Sequence, residues 1–157
     1  MPVTPDEFRE ALGRFASTVT VVTTQLEDGT PAGITVTAFS SLSLDPPLVL
    51  ICIDRGARIH DQLPTGRHFA VNMLREDQEM LSQRFASGDR EPFQGIGFDL
   101  GATGSPLLHD TLATLECLIV DRLAGGDHTI IVGQVERAAV RDRKPLIYFR
   151  GGYTRLI

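Results

Sequence analysis

Apolar side chains recur along this chain with two different periods, and the switches between them mark out its elements. Phe8, Ala11, Leu12 and Phe15 fall at i, i+3, i+4 and i+7, the stripe of an amphipathic helix whose apolar face is expected to turn to a core. Thr4, Pro5 and Glu7 mark its start as N-cap, first helical residue and capping-box partner. The period shortens near Ser17. Residues 19–25 are β-branched almost throughout and read as a strand. Glu27-Asp28-Gly29-Thr30 follows as a hairpin turn with Asp-Gly at its centre. Residues 32–38 return, with Ile34, Val36 and Ala38 on one face and Thr35 and Thr37 on the other. The alternation breaks over residues 39–47. The run Leu48-Val49-Leu50-Ile51-Cys52-Ile53 then reads as a strand buried on both faces.

The second half repeats this grammar. Residues 54–58 lead into a short helix ended by Pro64 and Gly66, and residues 68–74 alternate again. Phe69, Val71 and Met73 fall on one face there, Ala70, Asn72 and Leu74 on the other. Met80, Leu81, Arg84 and Phe85 sit at helical spacing within residues 75–86, stopped by Ser87-Gly88. Residues 88–106 are polar and glycine-rich, an ordered loop or a mobile lid. Two long strand patterns, 111–123 and 129–140, flank the turn Ala124-Gly125-Gly126-Asp127-His128, and shorter ones follow at 146–149 and 153–156. About seven strands joined mainly by hairpin turns, with three helices at the periphery, predict a mainly β fold. An antiparallel barrel is favoured over a doubly wound sheet.

Composition narrows the classes. With 157 residues the chain is expected to be a single domain, residues 1–157, burying roughly 70% of its unfolded surface. A net charge of −5 speaks against a nucleic-acid binder, and the one tight basic cluster, Arg141-Asp142-Arg143-Lys144, reads as a solvated turn. No run approaches the ~20 apolar residues of a membrane-spanning helix and no signal-peptide pattern opens the chain, so no membrane partner and a cytoplasmic location are expected. Cys52 and Cys117 each lie in an apolar run without a second ligand at metal spacing, which predicts free thiols and no metal site. His60, His68, His109 and His128 form no ligand pair, and no nucleophile elbow, Walker loop or dinucleotide fingerprint is present.

What remains is a concentration of hydroxyls. Thr35, Thr37, Ser40, Ser41 and Ser43 crowd the end of one strand and the break before the next. A flavin needs a flat slot, backbone groups for its pyrimidine edge, and hydroxyls or Arg for its phosphate. Backbone groups are free where a strand stops pairing, and small residues such as Ala38 and Ser41 allow close approach. The same residues also suit a structural Ser/Thr turn.

The segment Gly33-x-Thr35-Val36-Thr37-Ala38-Phe39-x-Ser41-Leu42-Ser43-Leu44-Asp45-Pro46-Pro47 resembles the flavin-binding stretch of the short-chain flavin reductases. The likeness extends to Phe8-Arg9-x-Ala11-Leu12-Gly13-x-Phe15 and to Phe69-Ala70-Val71-Asn72-Met73-Leu74. Further on it includes Phe85-Ala86, Gly126-Asp127-His128-Thr129, and Leu146-Ile147-Tyr148-Phe149-x-Gly151-Gly152-Tyr153, all in the family's order. This resemblance implies an antiparallel Greek-key split β-barrel of the FMN-binding type. It assigns flavin contacts to Thr35, Val36, Thr37, Ala38, Ser41 and Leu42, then to Cys52, Ile53, Ala57 and Arg58, with Arg58 on the phosphate. Asn72 and the helical edge Ser82, Phe85 and Ala86 complete the flavin set. The resemblance places His128 beside the nicotinamide and gives Tyr153 a part in holding the pyridine nucleotide. For Asn72 the residues leave a second reading open, a hydrogen bond to a neighbouring loop.

The implied activity is hydride transfer from NADH or NADPH to FMN or FAD, by a homodimer that supplies reduced flavin to a separate monooxygenase component. A hydride step needs no strong acid or base, in keeping with the missing dyad. The alternatives on the same barrel are a flavin- or haem-binding sensor or carrier without turnover, and a pyridoxamine-phosphate-oxidase-like enzyme. The second would want a more basic phosphate pocket than Arg58 provides.

Overall fold

The computed structural model describes residues 1–157. In chain order it begins with helix α1 (Pro5–Leu12), then β1 (Ser17–Thr18), β2 (Thr20–Gln25), β3 (Pro31–Val36), β4 (Phe39–Ser43) and β5 (Leu48–Asp54). A 3₁₀ turn (His60–Gln62), β6 (His68–Met73) and helix α2 (Glu79–Ala86) follow. The chain then forms β7 (Phe98–Leu100), β8 (Pro106–Leu108), β9 (Ala113–Gly125), β10 (His128–Val140), β11 (Leu146–Phe149) and β12 (Gly152–Arg155). No helix is long and apolar enough to cross a membrane.

Seven strands make one antiparallel sheet in the order β3-β2-β6-β9-β10-β5-β4. Its two edge strands, β3 and β4, are consecutive in the chain and joined only by Thr37 and Ala38. So short a link forces the sheet to curl until its edges meet. The edges do not pair with each other. They close through side chains, Val36 from β3 entering the same core as Val49, Ile51 and Ile53 from β5. The result is the split antiparallel barrel that the sequence implied.

The hairpins form where the turn residues said they would. Gly29 takes a φ of +86° between β2 and β3, and Gly126 one of +67° between β9 and β10, conformations that glycine adopts without strain. The central strands β2 and β6 are buried on both faces. Val22, Phe69 and Val71 fill the barrel, whereas Val19, Val21 and Leu74 face a second core with Phe85 of α2.

Three expectations need correction. The capping box of α1 is present, but its apolar stripe meets no core: Phe8, Leu12 and Phe15 are 56%, 50% and 74% exposed. The strands alone fill the barrel, and α1 stays outside it. Residues 39–43 do not stop pairing, because β4 pairs with β5 from Phe39↔Ile51 to Ser43↔Leu48, with one register shift between Ser41 and Ser43. The chain leaves the sheet only at Thr37 and Ala38 and again in the turn 44–47. β5 is buried on one face only, Val49, Ile51 and Ile53 alternating with half-buried Leu48, Leu50 and Cys52. Of the two readings left open for residues 88–106, the ordered one describes the segment: it is folded over the second core, where Phe93 stands edge-on to both Phe85 and Phe98. Cys52 and Cys117 are free thiols, Cys52 half-buried and Cys117 buried.

Candidate functional site

At the crossover the exposed residues Thr37 and Ala38 leave backbone groups unpaired between the sheet's two edge strands. Neither amide N–H finds a partner within the chain, while the Thr37 carbonyl accepts from Phe39 N at 2.9 Å. The Ala38 carbonyl accepts from Cys52 N at 3.0 Å, which pins the crossover to β5. Two adjacent, exposed N–H donors on a fixed backbone suit the carbonyl edge of a flat heterocycle.

Register decides what stands beside them. Directly opposed residues of an antiparallel pair point to the same face. Ser40 opposes Leu50, Ile130 opposes Cys52, and His128 opposes Asp54. Ser40, Leu50, Cys52, Ile130 and His128 therefore share the outer face of the barrel. Part of that face borders a cavity of about 600 Å3 whose walls include Thr37, Ala38, Cys52, Phe8, Phe39 and Tyr148. Of the sequence-predicted flavin residues, this brings Thr37, Ala38 and Cys52 together.

A second cavity of about 510 Å3 lies between β3, the segment that follows β5 and the end of α2. It gathers Ala57, Arg58, Phe85 and Ala86, again as predicted, together with Gly88 and Arg90. Arg58 is exposed and its Nη2 donates to the Gly88 carbonyl, so one N–H is engaged and the rest of the guanidinium can grip an anion. The turn carrying His128 abuts this region, since Arg55 N donates to the Asp127 carbonyl at 3.0 Å. Both volumes fall in the ~300–1,000 Å3 range of small-molecule sites. Free amides, small residues along the walls and two guanidinium groups fit a flavin nucleotide.

Five predicted contacts are buried and act differently. Val36 and Ile53 point their side chains into the barrel core, so that only their backbone borders the seam. Asn72 is 0% exposed and has nothing left to offer a ligand. Its Nδ2 donates to the Val21 carbonyl at 2.9 Å and to Thr23 Oγ1 at 3.0 Å, and its Oδ1 accepts from Leu108 N at 2.9 Å. The flavin assignment of Asn72 is thus replaced by the alternative, a hydrogen bond to a neighbouring segment, here at β8. Phe85 is nearly buried and shows the second cavity only an edge of its ring. Ser82 is buried too and links three elements.

That link begins at Thr35, whose hydroxyl donates to the Ser82 carbonyl at 2.6 Å. Ser82 Oγ lies 2.7 Å from the Tyr153 hydroxyl, and Tyr153 stands edge-on to Tyr148 with centroids 5.6 Å apart. The hydroxyls of Thr35 and Tyr153 are therefore spent on joining β3, α2 and the C-terminal hairpin. Ser41 and Leu42 are exposed on the edge strand and line neither cavity. Ser40, one residue earlier, does border the outer cavity.

His128 is the first residue of β10, with its side chain 40% exposed. Its Nδ1 lies 2.7 Å from Asp127 Oδ1. That hydrogen bond, with the ring's charge second, holds the Asp127 carboxyl below its ordinary value. A carboxylate only accepts, so the neutral ring carries its proton on Nδ1 and presents Nε2 outward as an acceptor. Sequence reasoning missed Arg90, Ser40 and the aromatic wall of Phe8, Tyr148 and Phe149. Ser40 belonged to the crowded hydroxyls, and the wall had a signal in the helical stripe and in the two aromatics that precede Arg150 and the Gly151-Gly152 turn; Arg90 had none.

The family model described as flavin reductase like domain matches residues 12–156. Among curated proteins, the chain is 38% identical over 153 residues to a flavin-dependent monooxygenase reductase subunit, HsaB, of Rhodococcus jostii (strain RHA1), covering 97% of this chain and 78% of that protein. It is 43% identical over 148 residues to the FMN reductase (NADH) SmoA of Agrobacterium fabrum (strain C58), covering 94% of this chain and 84% of that one. Among solved structures, the NADH:FAD oxidoreductase SgcE6 of Streptomyces globisporus, in complex with NAD and FAD fragments, superimposes with a TM-score of 0.92 at 36% identity. That superposition covers 100% of this chain and 97% of that one.

Proposed function

The chain belongs to the flavin reductase-like family, and from that premise we propose that it moves hydride from a reduced nicotinamide nucleotide to a flavin. The observation that carries the reading is the placement of the free Thr37 and Ala38 amides and of His128 around one outer face of the barrel. When bound, the flavin supplies the hydride-accepting ring, which no side chain offers. The protein's part is to bind and orient. The Thr37 and Ala38 N–H groups hold the ring's polar edge, Cys52 and the backbone of Val36 and Ile53 border its plane, and Ala57 and Ala86 leave room beside it. Arg58, with Arg90 across the same cavity, holds the phosphate. The outward Nε2 of His128 accepts from the carboxamide of the nicotinamide and sets that ring against the flavin. Ser82, Phe85 and Tyr153 brace this arrangement from behind.

The named relatives support NADH as donor and FMN or FAD as acceptor, and a separate oxygenase component as consumer of the reduced flavin. A homodimer acting in the cytoplasm is part of the same proposal. The exposed side chains of Phe8, Leu12 and Phe15 on the rim of the outer cavity support it, as an apolar surface that a second copy would cover.

The test is to incubate the protein with FMN or FAD and NADH or NADPH and follow loss of the reduced nicotinamide band. Flavin-dependent oxidation is expected. No oxidation with any pairing overturns the reading, and flavin binding without turnover identifies a carrier. His128→Ala should raise the nicotinamide KM or lower kcat while flavin affinity stays within about twofold.

A further inference from the structure

The imidazole of His60 contacts neither cavity's proposed ligand, yet both of its ring nitrogens are engaged. Nδ1 lies 2.8 Å from Asp61 Oδ1 and Nε2 lies 2.7 Å from Thr129 Oγ1. Only 13% of the side chain is exposed. The Asp61 carboxylate can only accept, so the neutral ring keeps its proton on Nδ1 and its Nε2 lone pair receives the Thr129 hydroxyl. The direction of this relay is thereby set, and Thr129 is held in one rotamer.

The two ends of the relay differ in what anchors them. His60 opens the 3₁₀ turn, and its N–H donates to the Ala57 carbonyl at 3.1 Å. Arg122 of β9 clamps the same turn, its Nη1 donating to the His60 carbonyl at 3.3 Å and also to the Leu63 carbonyl. Thr129 is 7% exposed and immediately follows His128. His128 itself sits on an exposed glycine turn, and the one hydrogen bond of its side chain goes to the neighbouring, solvent-exposed Asp127.

We propose that His60 is a positioning residue that, by gripping Thr129, sets the placement of His128 against the reduced nicotinamide. Because only Ile59 separates Arg58 from the 3₁₀ turn, the same grip ties the phosphate end of the site to its hydride end. This rests on the reading of His128 given above. A displacement of roughly 1 Å at a reacting centre costs on the order of a hundredfold in rate, so loss of the grip should be visible in kcat.

The experiment is a double-mutant cycle between Thr129→Val, which keeps shape and removes the hydroxyl, and His128→Ala. Thr129→Val is expected to lower kcat about tenfold or more and leave flavin affinity within about twofold. Thr129→Ser should recover most of the loss. In the His128→Ala background Thr129→Val should cost nothing further. Should Thr129→Val fail to fold, His60→Leu removes the relay from the other side and takes its place in the cycle. Unchanged kcat in a folded variant, or losses that simply multiply in the double variant, overturn the positioning role. If His128→Ala alone changes neither kcat nor KM, the reading of His128 is what fails, and the positioning role falls with it.

Discussion

Replacing Gly33 by Ala tests how closely β3 must approach α2. The φ of Gly33 lies outside the left-handed region, so the demand for glycine is steric. An added Cβ would sit 2.9 Å from Phe85 Cε1, 3.0 Å from Cδ1 and 3.2 Å from the Val22 carbonyl oxygen. Ordinary contact begins near 3.4 Å, so the ring must retreat by about 0.5 Å. It has little freedom to do so, being 4% exposed and braced edge-on by Phe93 at a centroid distance of 5.0 Å. Overpacking of this kind costs about 1–3 kcal/mol. Displacing α2 also strains the hydrogen bond from Thr35 to the Ser82 carbonyl, worth about 1 kcal/mol. A total near 2–4 kcal/mol lowers Tm by about 5–12 °C in a chain of this size. Calorimetry of Gly33→Ala measures this, and a flavin titration should show weaker binding because Gly33 and Phe85 border the same cavity. Phe85→Leu in the Gly33→Ala background should restore at least half of the lost Tm. A Gly33→Ala protein within about 2 °C of the parent, or strictly additive losses in the double variant, would refute the steric argument.

Two further outcomes follow from buried groups. Asn72→Leu strands Leu108 N in the interior and should cost about 1–3 kcal/mol, seen by denaturant titration. The flavin affinity of the folded fraction should be unchanged; a large loss of affinity at full stability would return Asn72 to the cofactor site. Burial first, then the charges of Glu136 and Glu116, push the Cys117 thiol up to about 12, so it should resist alkylation at pH 8 while Cys52 reacts. The folded state holds this proton more tightly than the unfolded chain. The associated stability is therefore present below about pH 9 and lost as pH rises toward 12, by up to about 1.4 kcal/mol per unit. Cys117→Ala should flatten the stability curve between about pH 9 and 10.5, and an unchanged slope would sink the assignment.

Period and turn chemistry made most of the barrel legible. Asp28-Gly29 and Gly125-Gly126 announced their hairpins, and the β-branched runs became strands where they were expected. Two kinds of information were not local. The stripe of α1 gives the same pattern whether it faces this chain's core or lies outside the barrel on open surface, because amphipathicity marks a face and not what covers it. The serines of residues 40–43 looked like a loop because serine weakens a strand signal, although β5 supplies the pairing that propensity lacked. In the site, Thr37, Ala38, Cys52, Ala57, Arg58 and Ala86 fell beside the cavities. Asn72 and Ser82 were drawn in by their motifs and then claimed by Val21, Leu108 and Tyr153, partners far away in sequence. A buried polar residue announces that it has a partner without saying whether the partner is ligand or protein.

The two-residue crossover between β3 and β4 also sets a mechanical limit. From Val36 to Phe39 the chain makes three steps, which span at most about 11 Å when fully extended. At that end the seam is a tether of fixed length, and thermal breathing cannot widen it beyond that reach. The barrel's free edges can splay only at the far end, near Pro31 and the turn before β3. Opening is therefore wedge-shaped, with its apex at Thr37. A bulky flavin tail would have to thread in from the wide end while the ring stays at the apex. Inserting two glycines after Thr37 would convert the wedge into a parallel slot and loosen the hold on the ring far more than the hold on the phosphate.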